Sequence, residues 1–306
     1  MARPVSWTEL RIEATREQAD TLETLLREEN AEAITFQDAG DDPVYEPDPE
    51  TTRLWDTLIL TALFPEDQDL SRLLLQLDLL KHAGGLQAWH LSSLKNQAWE
   101  RVCLQDFHPI RAGKRLWICP SWETLPPDPN AITVTLDPGL AFGTGTHPTT
   151  AMCLAWLDAH LEPGTDVIDY GCGSGILSLA AIKLGARHVT AIDHDTQAVE
   201  STKENASRNH LPPAQLTAGL PDTLPPDKAD LIIANILAAP LIQLAPLFAS
   251  HLRSGGQLAL SGILETQSAS VIEAYAPWFS LQPHDKSGGW VCLAGFRLQT
   301  VDPHNI

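Results

Sequence analysis

Apolar and polar residues alternate over Ser6–Ala14, and that period of two predicts a strand with one buried face. Over Glu17–Asn30 the apolar positions Ala19, Leu22, Leu25 and Leu26 return at helical spacing instead. Ala31–Ala39 and Leu54–Phe64 read as two further strands, separated by the acidic turn segment Asp41–Glu50. A leucine-rich helix is predicted over Asp69–His82, stopped by Gly84-Gly85, and Leu86–Leu94 follows as a fourth strand. The order β-α-β-β-α-β is that of a small α+β, ferredoxin-like sandwich, assigned to residues 1–95. It carries no Cys/His cluster, no nucleophile beside a base and no glycine loop, so it is expected to bind something or hold an interface.

Asn96–Lys114 reads as a connector, partly helical before His108-Pro109. From Arg115 the pattern changes to strands alternating with helices, which predicts an α/β unit over 115–298 with a parallel sheet and crossover connections. Strands are expected at Leu116–Trp122, Ala131–Leu136, Asp166–Gly171, His188–Asp193, Ala214–Gly219, Ala229–Asn235, Gln257–Ile263 and Trp290–Leu298. Helices fit between them at Pro148–Leu161, Ile176–Leu184, Thr196–Arg208, Pro240–Leu252 and Glu265–Tyr275. Pro246 falls inside one of these patterns and predicts a kink or restart. Residues 299–306 read as a tail.

Composition narrows the functional classes. At 306 residues and 43% hydrophobic, the chain is long and apolar enough to bury a full core. No apolar run reaches the roughly 18 residues a membrane span needs. The start, MARPVSWTEL, has no apolar signal core, so a cytoplasmic protein is expected. Five scattered cysteines without a CxxC pair argue against a disulfide framework and a zinc site. The formal charge of −19 disfavours direct contact with nucleic acid, whose phosphates it repels, and favours a basic partner.

Four segments carry chemistry. VIDYGCGSGIL (Val167–Leu177) is a buried strand running into a glycine turn that opens a helix. Its spacing is G-x-G-x-G (Gly171, Gly173, Gly175), shorter than the G-x-G-x-x-G that wraps a pyrophosphate. A short loop suits S-adenosylmethionine, which has no phosphate. Asp193 closes the next strand, eighteen positions beyond Gly175, where a carboxylate can accept both ribose hydroxyls. Asp195 reads as the cap of the following helix. Adjacent residues Asp193, His194 and Asp195 point to opposite faces of a strand, so no metal site is assigned. In LDPGLAFGTGTHPTT (Leu136–Thr150), Pro148 suits a first helical turn, His147 reads as a capping or packing residue, and the Thr149 and Thr150 hydroxyls can reach a cofactor. ANIL (Ala234–Leu237) ends a strand at the sheet's carboxyl edge, and Asn235 there supplies acceptors that can orient an amine. Methyl transfer to nitrogen needs a neutral amine with its lone pair in line, so Asn235 is the candidate catalytic residue.

With FQDAGDDPVYEP, DFHPIRAGKRLWICPSW and LSGIL, these segments make the chain resemble the PrmA family, the methyltransferases of protein L-eleven of the large ribosomal subunit. The resemblance runs from about Trp7 to Arg297. It implies a class I (Rossmann-like) methyltransferase domain behind a small N-terminal domain that recognises the ribosomal protein. It also implies methylation of the N-terminal α-amine and of lysine ε-amines, with S-adenosyl-L-methionine as cofactor. Carried over by motif, cofactor contacts fall on Thr150, Gly171, Asp193 and Asn235, beside Gly173 of the same loop. Asn235 is followed by Ile236-Leu237 without the Pro-Pro-aromatic of enzymes acting on planar bases, which suits an aliphatic amine. A monomer is expected. The competing readings are a nicotinamide-dependent oxidoreductase, against which the short glycine loop stands, a nucleic-acid methyltransferase, for which the basic surface is lacking, and a non-catalytic ribosome-assembly factor that retains the cofactor fold.

Overall fold

In the first segment, the alternation that predicts a strand is matched by alternate burial: Leu10, Ile12 and Ala14 of β1 (Trp7–Thr15) are all inaccessible to solvent. The computed structural model describes residues 6–40, 55–82, 86–94, 108–124, 128–137 and 145–299. They belong to two compact units, Met1–Cys103 and Leu104–Ile306. None of the described helices is long and apolar enough to cross a membrane.

In the first unit a single 3-10 turn, Arg16–Gln18, leads into α1 (Ala19–Glu28), which buries Ala19, Leu22 and Leu26. The Gln18 side chain accepts from the Thr15 N–H at 2.9 Å and closes a capping box. Asn30, at φ 58°, ends the helix in the left-handed region that asparagine tolerates. Strands β2 (Ala33–Asp38) and β3 (Thr57–Pro65) follow, then α2 (Ser71–His82) and β4 (Ala88–Leu94). The sheet order is β2-β3-β1-β4 with every neighbouring pair antiparallel, so each crossover helix skips one strand. Leu22, Leu26, Leu73 and Leu77 from the two helices share one core with Leu10, Ile12, Leu58 and Leu60 of the sheet. The segments Asp41–Glu50 and Gly84-Gly85 lie outside the described residues.

The second unit begins with a sheet not foreseen as separate. Strands β5 (Ile110–Arg111), β6 (Leu116–Cys119) and β7 (Ile132–Thr135) form a three-stranded sheet in that order. Residues 110–111, assigned above to the connector, therefore pair with β6, Ile110 opposite Ile118; the connector before His108 lies outside the described residues. Two side chains fasten this small sheet. Asn209 accepts from the Thr135 N–H at 2.8 Å and donates to the Thr135 carbonyl at 2.7 Å, replacing a neighbouring strand. Asp158 accepts from the backbone N–H groups of Lys114 and Arg115 at 2.5 and 2.9 Å, fastening the β5–β6 turn.

The remaining elements are α3 (Pro148–His160), β8 (Asp166–Tyr170), α4 (Ile176–Leu184), β9 (His188–Ile192), α5 (Thr196–Arg208), β10 (Leu216–Gly219), β11 (Ala229–Asn235), α6 (Ala238–His251), β12 (Leu252–Leu264), α7 (Ser268–Tyr275), β13 (Phe279–Ser287) and β14 (Trp290–Arg297). They build a seven-stranded mixed sheet in the order β10-β9-β8-β11-β12-β14-β13. The expected parallel pairing holds from β10 to β12, whereas β14 runs antiparallel to both β12 and β13. Alternate residues of β11 serve two cores: Leu231 and Ile233 pack with α3, α4 and α5, and Ile232 and Ala234 with α6 and α7.

Strand β13 was missing from the expected set because among its nine residues only Phe279 is buried, so no alternation marks it. Its signal is the turn: Gly288 and Gly289, at φ 58° and 81°, make the two-residue hairpin that places Ser287 opposite Trp290. Helix α6 runs through Pro246 without a restart. Pro246 sits on the exposed face, so the Ile242 carbonyl it leaves unpaired is open to water.

Candidate cofactor and active site

Successive strands from β8 run outward through β9 to β10, and the chain then returns to place β11 on the other side of β8. The carboxyl ends of β8 and β11 thus flank a topological switch point, the place where open α/β sheets bind ligands. Gly171 follows β8, and Asn235 is the last residue of β11.

The glycine loop is tied down from several sides. Gly171, Gly173 and Gly175 have φ of 81°, 54° and 80°, values at which a side chain is strained. The N–H groups of Gly171 and Cys172 both donate to the Ile192 carbonyl, at 2.7 and 3.0 Å. Thr202 and Asn205, on α5, donate to the carbonyls of Gly173 and Ser174 at 3.1 and 2.9 Å. The space left by two of these glycines is taken by protein: a side chain at Gly171 would overlap Ile236 Cγ2, and one at Gly175 would meet Thr202 Cγ2 at 2.8 Å.

Asp193 is 7% exposed and joins this loop directly. One carboxylate oxygen accepts from the Gly173 N–H at 2.9 Å, the other from the Asp195 N–H at 3.1 Å. An ionised carboxylate offers about four acceptor positions, so positions remain for hydroxyls beside the exposed His194 ring, whose Nδ1 lies 3.4 Å from Oδ1. Asp195 caps α5, accepting from the Gln197 N–H at 2.8 Å. His147 caps α3: its ring accepts from the Thr149 N–H at 3.4 Å and meets Trp290 edge-on at 5.3 Å. Both therefore have the capping positions their sequence context suggested.

Asn235 Nδ2 donates to Thr150 Oγ1 at 3.1 Å, across 85 positions of sequence. Thr150 is 1% exposed, while Asn235 is half-buried. The bond ties the end of β11 to α3 through the amide NH₂. Next to it, the Ile236 main chain is closely approached by Gly262, at φ 83°, where a side chain would overlap the Ile236 carbonyl oxygen. Ile236 is thus pinned between Gly171 and Gly262, which links the glycine loop to the Asn235 strand end. The five residues singled out in the sequence come to one sheet edge, Gly171, Gly173 and Asp193 in one cluster and Thr150 and Asn235 in the other. Gly262 is an addition; its signal was a glycine inside a strand pattern, which marks close backbone approach. Gly262→Ala is expected to lower turnover by about 10²-fold by shifting Ile236 and Asn235. Its melting temperature should fall as well; steady-state rates and a thermal melt read the two effects.

Beneath the loop lies Asp169, wholly buried on β8. Ser178 donates to its Oδ2 at 2.6 Å, and its Oδ1 has no partner among the described residues. Burial pushes its carboxyl up to about 6, the Ser178 hydrogen bond opposes this, and the nearby Asp193 charge adds to it. In an unfolded chain the group ionises near 3.9, so the stability it contributes below about pH 4 is lost as pH rises through about 6. Asp169→Asn removes that titration. Relative to wild type, the variant should gain about 2 kcal/mol between pH 4 and pH 7 in urea unfolding, and an equal difference at both pH values would refute the assignment.

Comparison with known proteins adds to this geometry. Residues 6–297 match the family model described as ribosomal protein L11 methyltransferase (PrmA). A ribosomal protein L11 methyltransferase from Shewanella sediminis is 48% identical over 292 residues, covering 95% of this chain and 99% of that one. The protein of the same description from Pseudomonas paraeruginosa is 49% identical over 291 residues, covering 95% and 98%. A crystal structure of ribosomal protein L11 methylase from Lactobacillus delbrueckii subsp. bulgaricus is similar with a TM-score of 0.58 and 36% identity, over 63% of this chain and 100% of that one.

Proposed function

Because the chain belongs to the ribosomal protein L11 methyltransferase (PrmA) family, we propose that it methylates the N-terminal α-amine and lysine ε-amines of ribosomal protein L11. The cofactor is S-adenosylmethionine, which supplies an electrophilic methyl group on a sulfonium. The residues present fit that group. Asp193 keeps acceptor positions for a ribose, and the G-x-G-x-G loop is too short to wrap a pyrophosphate.

The observation that carries the amine assignment is the Asn235–Thr150 hydrogen bond. It ties the amide to α3 at the end of β11, and on this reading Asn235 Oδ1 accepts from the amine N–H. A lysine amine ionises near 10.4 and an α-amine near 7.7–8.0, so either must lose a proton before its lone pair can react. Water takes that proton. Asn235 then orients the neutral amine, which is a positioning task of the kind worth several kcal/mol in a bimolecular transfer. Leu237, exposed beside it, offers an aliphatic lip for a lysine stem and no ring for stacking on a planar base.

The sheet order of the first unit supports reading it as ferredoxin-like, and we propose that this unit recognises the substrate and that the protein acts as a cytoplasmic monomer. Removing residues 1–95 should then leave S-adenosylmethionine binding intact and abolish methylation of the protein substrate. Full activity of the remaining fragment would assign recognition elsewhere. Peptide mapping of methylated ribosomal protein L11 tests the chemistry: methyl groups confined to the α-amine and lysine ε-amines support the proposal, and methyl groups on other atoms refute it.

A further inference from the structure

Leucine is a buried residue in most helices, yet α2 leaves three of its leucines in solvent. Leu75 and Leu79 are 63% and 61% exposed and Leu80 is 37% exposed, while Leu73 and Leu77 fill the core of the same unit. The helix therefore has two apolar faces, and the core uses one of them. Leu79 and Leu80 line a shallow groove between α1 and α2, together with Leu25 from α1. Asp20 and Glu28 stand on its α1 side, and no cation lines it. Gln76 also lines the groove, and its Oε1 is buried without a hydrogen-bond partner among the described residues.

These features describe an unfilled complement. An apolar floor is stabilised by covering it, two carboxylates favour a cation, and a buried carbonyl oxygen without a donor is stabilised by a partner that brings an N–H. A chain of net charge −19 adds a long-range attraction for the same kind of partner. We infer that the α1–α2 groove docks a cationic segment of the methyl-accepting protein, laid apolar side down on Leu25, Leu79 and Leu80 with its lysines towards Asp20 and Glu28. The inference rests on the proposed function for the identity of the partner, and it assigns recognition to the helical face of the first unit. The charged rim steers encounter and the leucine floor sets how long the complex lasts.

Direct binding, measured by calorimetry with the full chain and ribosomal protein L11, tests this without relying on turnover. Leu79→Glu, on an exposed position, is expected to weaken that binding at least about tenfold, as central apolar anchors do. The double variant Asp20→Lys, Glu28→Lys should weaken it too and flatten its dependence on salt. Unaltered affinity in both variants overturns the groove. Wild-type binding without any methylation would instead refute the functional reading and leave the groove standing. A free chain that self-associates, and that Leu79→Glu renders monomeric with affinity for ribosomal protein L11 unaltered, would make this face a contact between copies and overturn the inference.

Discussion

Asn235→Ala is expected to cut the rate of methyl transfer by about 10²-fold, the scale on which a lost positioning contact acts. Affinity for S-adenosylmethionine should change far less. The half-buried Asn235 ends β11 at the switch point, with its NH₂ held by Thr150 at 3.1 Å, and the proposed function assigns its carbonyl to the amine. Removing the amide leaves the strand and the glycine loop in place, since Ile236 is pinned by Gly171 and Gly262 rather than by Asn235. What is lost, on the proposed function, is an acceptor that aligns the attacking nitrogen. The effect should appear in kcat for the protein substrate, with calorimetry of cofactor binding as the companion measurement. The reverse pattern, with weak cofactor binding and normal turnover at saturation, would make Asn235 a cofactor contact only.

Asp193→Ala should weaken S-adenosylmethionine binding by about 10²-fold or more. Hydrogen bonds to a charged acceptor contribute roughly 1.5–3 kcal/mol each, and two ribose hydroxyls are assigned to this carboxylate. A second loss follows from the geometry. Asp193 accepts from Gly173 and Asp195 at 2.9 and 3.1 Å, so it also holds the glycine loop against the start of α5. Asp193→Asn separates the two contributions, because an amide can still accept one backbone N–H without the charge. Calorimetry showing normal affinity in Asp193→Ala would remove the ribose role.

Local signals in the sequence carried much of this account. The helices Ile176–Leu184 and Thr196–Arg208 and the strand Ala229–Asn235 have the limits that periodicity and capping residues suggested. The glycine loop and Asp193 were legible for the same reason: a turn and the end of the next strand are close in sequence as well as in space. What was not legible depends on distant side chains. Asn209 holds Thr135 across 74 positions, and Asp158 holds Arg115 across 43, and both fasten the small sheet of β5, β6 and β7. No periodicity encodes such a clamp. Thr150 reads from sequence as a helix-start threonine or a cofactor contact, and its hydroxyl acquires its partner only when α3 packs over β11. Strand β13 was silent because an exposed edge strand has no buried face to generate alternation.

The most direct measurement is the intact mass of purified ribosomal protein L11 after incubation with this protein and S-adenosylmethionine. The account predicts a ladder of increments of about 14 Da, one for each methyl group covalently transferred to an amine, that builds about 10²-fold more slowly with Asn235→Ala. An unchanged mass under conditions where S-adenosylmethionine is bound would contradict it.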